Sequence, residues 1–104
     1  ARAAGVHVHI DARSVPVVEE VRGACEILGL DPIYVANEGR MVAFVAETQA
    51  EEALRLMHED PVAQEACRIG QVDEKPAGLV TLCSEIGTTR VLDMLSGEQL
   101  PRIC

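Results

Sequence analysis

The sequence has no tryptophan and only one tyrosine and one phenylalanine in 104 residues, so few rings are on offer for base stacking. Positive charge is scarce as well. Nine Lys and Arg face 17 Asp and Glu, and the net charge of -8 repels phosphate backbones and anionic lipid surfaces. Together these shortages argue against a nucleic-acid partner. No apolar run approaches the roughly 20 residues of a membrane span, which argues against a membrane-embedded chain. A Cys-x-x-C pair and a secretion signal are also missing. The four cysteines, at positions 25, 67, 83 and 104, therefore read as reduced thiols in a cytoplasm and not as a disulfide framework.

What is present suffices for one globular domain with a modest core, since 48% of the residues are hydrophobic and 25% charged. In "GVHVHID", Val6, Val8 and Ile10 alternate with His7 and His9, the period of a half-buried strand. Over residues 14–28 the period changes. Val17, Val18, Val21, Ala24, Cys25 and Leu28 recur three and four apart and predict a helix, with Pro16 in its first turn and Gly29 as its stop. Asp31-Pro32 forbids continuation. "IYVANEGRMVAFVA" then reads as two strands joined by a tight turn at Asn37-Glu38-Gly39.

Thr48 with Glu51 predicts a capping box, followed by a helix whose apolar face is Ala50, Ala53, Leu54 and Met57. Asp60-Pro61 predicts one or two further helical turns, through Ala66. Short strands follow in "CRIGQV", "GLVTLC" and "TRVLDM". The expected order is β-α-β-β-α-β-β-β. Such an order implies an α+β domain, with helices packed on one face of a mixed, mostly antiparallel sheet. The domain is expected to span residues 1–94, with residues 95–104 a mobile tail. "ARAAG" at the start reads as the last turn of a helix ended by Gly5, so the chain is expected to be cut from something longer.

Cys25, Cys67 and Cys83 fall on apolar stripes or in strands and read as small buried hydrophobes. Cys104 fits no such pattern. It is too close to the end for prenylation, and the Ser, Gly and Pro of "LSGEQLPRIC" would let its thiol move between sites. A second candidate is a metal site, in which His7 and His9 share a strand face and Cys67 or Cys83 completes the ligands. No second close ligand pair supports that, and the expectation is no metal. A third is a docking module in which Cys104 is incidental. Glu20 and Arg22 lie off the apolar stripe and read as a solvated face.

"VEEVRGACEILGLDPIYVANEGRMVAFV" together with "TRVLDMLSGEQLPRIC" closely resembles the C-terminal domain of the NiFe-hydrogenase maturation family HypE, carbamoyl dehydratases of the aminoimidazole-ribonucleotide-synthetase-like ATP enzymes. The likeness covers essentially the whole chain, and the terminal P-R-I-C is its most specific part. It implies that Cys104 is the reacting residue, accepting carbamoyl from the carbamoyltransferase HypF. ATP-driven dehydration would make a thiocyanate, whose cyanide passes to iron on a HypC and HypD scaffold and becomes a hydrogenase ligand. On the family's "NEG" turn it implies Glu38 as the base and Asn37 as a ligand-orienting residue. A homodimer is implied for the full-length protein. ATP and magnesium are implied there too, held mostly by an N-terminal domain. This sequence departs from the family in lacking a glycine-rich phosphate loop and the H-D-x-T-R-G-G motif. Alone, it is not expected to hold ATP or turn over.

Overall fold

The computed structural model describes residues 1–35 and 37–93. They form two compact units, one of residues 1–16 with 45–93, the other containing residues 17–44. The first unit holds a four-stranded mixed sheet and a helix. Its strands are β1 (His7–Asp11), β2 (Gly70–Asp73), β3 (Val80–Cys83) and β4 (Thr89–Val91), in the order β2-β1-β3-β4. β1 runs antiparallel to β2 and parallel to β3, and β4 closes an antiparallel pair with β3. The described residues contain two α-helices and this mixed sheet, so the α+β class expected from the sequence is the class found.

Alternation sorts the residues of the sheet. Val8 and Ile10 of β1 lie opposite Val80 and Leu82 of β3, with Val72 of β2 beside Val8, so one face is apolar. Leu82, 3% exposed, is the most deeply buried residue there. The other face carries His7, His9 and Asp11, with Gln71 and Asp73 on β2 and Thr81 and Cys83 on β3. The loop joining β3 to β4 closes on Gly87, at φ 90°, with Ser84 N–H donating to Thr88 O at 2.7 Å.

Helix α2 (Ala50–His58) turns Ala50, Ala53, Leu54 and Met57 away from full exposure, the face its spacing predicts. Its start differs from expectation. A 3-10 turn over Glu47–Gln49 leads in, with Gln49 N–H bonded to Ala46 O at 2.9 Å, and no side-chain cap forms. The backbone turn takes the place of the Thr48–Glu51 box. After Asp60 a single 3-10 turn, Pro61–Ala63, forms on the Asp60 carboxylate, which accepts from Val62 N–H at 3.0 Å. The "ARAAG" turn closes as a helix end does, Val6 N–H reaching Ala1 O at 3.1 Å and Gly5 N–H reaching Arg2 O at 3.3 Å.

In the second unit, α1 (Glu19–Leu28) starts five residues later than the periodicity suggests. The Asp11 carboxylate nucleates a 3-10 turn over Ala12–Ser14, and Val15, preceding Pro16, is held extended. Pro16 therefore comes before the helix and not in its first turn. Glu19 and Glu20 then meet the positive end of the helix dipole. Gly29, at φ 68°, ends the helix, and Leu30 N–H returns to Cys25 O at 2.9 Å. Cys25 is the buried residue of the helix, 5% exposed.

The two strands expected across residues 33–46 do not form among the described residues. Asp31 accepts from Ile33 N–H at 3.0 Å and Pro32 presets φ, so Pro32–Tyr34 winds into a 3-10 turn and the first strand is consumed. The second run is left without a ladder. Met41 and Phe44 stand 79% and 71% exposed. β-branched composition makes a strand only where a neighbouring strand takes its hydrogen bonds, and a lone hairpin is marginal in water.

Candidate functional site

The turn at residues 37–39 is a bend with every residue exposed. Gly39, at φ 77°, takes the left-handed conformation the turn composition requires, and a Cβ there would meet nothing within 4 Å among the described residues. With no flanking strands, the bend is not a hairpin tip. Glu38 makes no hydrogen bond or ion pair among the described residues, so its carboxylate is presented to solvent. Asn37 lies beside it, likewise exposed. The structure therefore brings Glu38 and Asn37 together on one bend. Cys104, the third residue singled out from the sequence, lies outside the described residues. Glu20 is exposed and Arg22 half-buried on α1 of the same unit.

A different constellation occupies the polar face of the sheet. Thr81, 8% exposed, sits opposite His9 in the parallel β1–β3 pair. Its Oγ1 is 2.7 Å from His7 Nε2 and 2.9 Å from His9 Nδ1. A hydroxyl donates once and accepts twice, so at least one of these ring nitrogens donates to it. The two rings stand edge to face, 6.0 Å apart. Asp11, next along the same face, is turned to Arg13: Oδ1 accepts from its backbone N–H at 3.0 Å and its Nε–H at 3.2 Å, and Oδ2 from Nη2 at 3.2 Å. That side-chain bond, with the backbone bond behind it, holds the Asp11 carboxyl below its ordinary value and raises Arg13.

The sulfurs do not join the histidines. The Cys67 thiol donates to Ser14 O at 3.1 Å, and the Cys83 thiol turns to the carbonyl of its neighbour Ser84, at 3.7 Å. Cys67 is exposed and Cys83 half-buried, so of the three cysteines expected to be buried only Cys25 is. Among the described residues no three of His, Cys, Asp or Glu converge to hold a metal. No helix among them is long and apolar enough to cross a membrane. Thr81 and the Asp11–Arg13 pair were not singled out from the sequence. Thr81 sits in an ordinary strand run, and only the pairing of β1 with β3 places it between the histidines.

Four likenesses to known proteins emerge. Residues 1–83 match the family described as AIR synthase related protein, C-terminal domain. Carbamoyl dehydratase HypE of Cupriavidus necator is 49% identical over 96% of this chain, which spans 28% of that protein. Among solved structures, hydrogenase maturation protein HypE in complex with ATP superposes with a TM-score of 0.87 at 41% identity, covering 99% of this chain and 32% of that one. A HypE–HypF complex superposes at 0.76 and 38% identity, covering 85% of this chain and 28% of that one. The chain thus spans about three tenths of the length of the proteins it resembles.

Proposed function

The chain belongs to the AIR synthase related protein family, C-terminal domain, and on that premise we propose that it is the cysteine-bearing part of a HypE-type carbamoyl dehydratase. The observation that carries the proposal is the identity of 49% with a protein named carbamoyl dehydratase HypE, over 96% of the chain. In this proposal the Cys104 thiol gives up its proton and its sulfur attacks the activated carbamoyl carbon presented by HypF, expelling the phosphate-bearing group that activated it and leaving the cysteine as a thiocarbamate. The solved HypE–HypF complex supports HypF as a partner, and its role as donor belongs to this proposal. The sulfur then serves as the handle on which the amide is dehydrated to a thiocyanate. The cyano group then passes to iron on a HypC and HypD scaffold in the cytoplasm, the scaffold iron supplying the two electrons that break the sulfur–carbon bond, so that Cys104 is released as its thiolate.

Dehydration removes the amide oxygen and both nitrogen-bound protons. ATP supplies the phosphoryl group that makes the oxygen a leaving group. Glu38 accepts one proton from the nitrogen, the second passes to water, and Asn37 beside Glu38 orients the amide. The nucleotide and its magnesium are assigned to the part of the longer relatives that this chain does not span. The chain has no glycine-rich phosphate loop, so its own contribution is the thiol and the base. Assembly as a homodimer belongs to the same proposal for the full-length protein.

The test is the intact mass of the chain after incubation with cognate HypF, carbamoyl phosphate and ATP, beside a Cys104→Ala control. A gain of one carbamoyl group, absent from the control, is the expected result. No gain with active HypF, in this chain and in the full-length protein alike, would overturn the proposal. Val18, Ile27, Leu28, Met41, Val42 and Phe44, all exposed, favour a docking role as well. Cys104→Ala separates the two readings, since docking survives it and transfer does not.

A further inference from the structure

The histidine pair takes no part in the function proposed above, yet its geometry is that of a chelate. We propose that His7 and His9 form an open two-imidazole site for a borderline divalent transition metal, of the class of copper(II), nickel(II) and zinc(II), on the polar face of the sheet.

Four observations carry it. Spacing of two on a strand sends both rings to one face, and β1 is hydrogen-bonded on both sides, to β2 and β3, so the backbone beneath them is fixed. His7 Nε2 and His9 Nδ1 already converge, each within 2.9 Å of the single Thr81 Oγ1. A metal takes imidazole nitrogen at about 2.0–2.1 Å, so a shared ion requires the Thr81 hydroxyl to turn aside and the two rings to draw in. The two remaining ring nitrogens have no protein partner among the described residues. Lastly, Asp11 and Asp73 share the face, and both carboxylates are already bonded, to Arg13 and to Gln71 Nε2. Asp73, bonded to the neutral Gln71 amide, supplies a negative field without crowding the ion, whereas the charge of Asp11 is balanced by Arg13.

Imidazole ligation with the remaining positions left to water suits copper, nickel and zinc, and not the oxygen-seeking calcium or magnesium. His58 provides an internal contrast. Its Nε2 is engaged with Ala66 O at 2.7 Å and no second imidazole is near it in sequence.

The test uses the full-length protein with Cys67 and Cys104 replaced by Ser, so that thiols do not compete. Nickel(II) is titrated at pH 7.5 while the imidazole resonances are followed by NMR and the stoichiometry by calorimetry. The expected result is one ion per chain, with the His7 and His9 signals broadening before that of His58. His7→Asn and His9→Asn should each weaken binding by about tenfold or more, the scale seen when a metal site loses a supporting group. Equal broadening of all three histidines would overturn the site, as would retained affinity in both variants. The wild-type NMR pattern decides even where a variant fails to fold.

Discussion

Gly70 presses its bare Cα against the carbonyl of His9, so that a Cβ added there would fall within the backbone of β1. The contact lies in the β1–β2 ladder, where Gly70 pairs with Ile10. Replacing Gly70 by Ala must push the strands apart beneath the histidine pair. Overpacking of this kind costs about 1–3 kcal/mol, and the obstacle here is backbone, which gives least. A denaturation midpoint for Gly70→Ala equal to that of the unmodified protein would refute the close approach.

Gly23 makes the opposite case. It sits inside α1 with nothing among the described residues within 4 Å of its Cβ position, so its absent side chain serves no contact with them. Gly23→Ala should raise stability by about 0.5–1 kcal/mol through the entropy of the unfolded chain. A fall in melting temperature would mean that α1 packs against something at this position.

The Asp11 carboxyl should titrate below 3.8, because Arg13 donates to its charged form. A native carboxyl that is the stronger acid contributes its stabilisation above the ordinary value and loses it as pH falls through the native one. Carbon-detected NMR of the Asp11 carboxyl measures that midpoint. Arg13→Ala should raise it part of the way, since the backbone N–H of residue 13 still donates. The pair is exposed, so salt should shrink the effect.

Glu38→Gln separates the two halves of the proposed chemistry. Loading of Cys104 with carbamoyl should be unchanged, while thiocyanate formation in the full-length protein should fall by about 10²–10⁴-fold, the usual worth of a general base. Mass spectrometry of the terminal peptide distinguishes the two adducts. Unaltered thiocyanate yield would remove Glu38 from the mechanism.

Local chemistry was legible in the sequence wherever a short stretch decides its own conformation. The alternation of residues 6–10, the stripe of α2, the stops at Gly5 and Gly29 and the Asp60-Pro61 cap all stand as their side chains require. The left-handed glycine of the Asn37-Glu38-Gly39 bend does as well, because a positive φ is a property of one residue. The terminal P-R-I-C and its resemblance also needed nothing beyond the residues themselves.

Tertiary structure decided what depends on neighbours distant in the chain. Whether residues 40–45 became a strand turned on a partner for their backbone, and Asp31 had already committed the other run to a 3-10 turn. Burial of a cysteine turned on what packs against it, which is why Cys25 is enclosed and Cys67 is not. The meeting of His7 and His9 at Thr81 spans more than 70 residues of sequence and exists only because β1 lies parallel to β3. Register is a relation between two strands, and neither strand carries it alone.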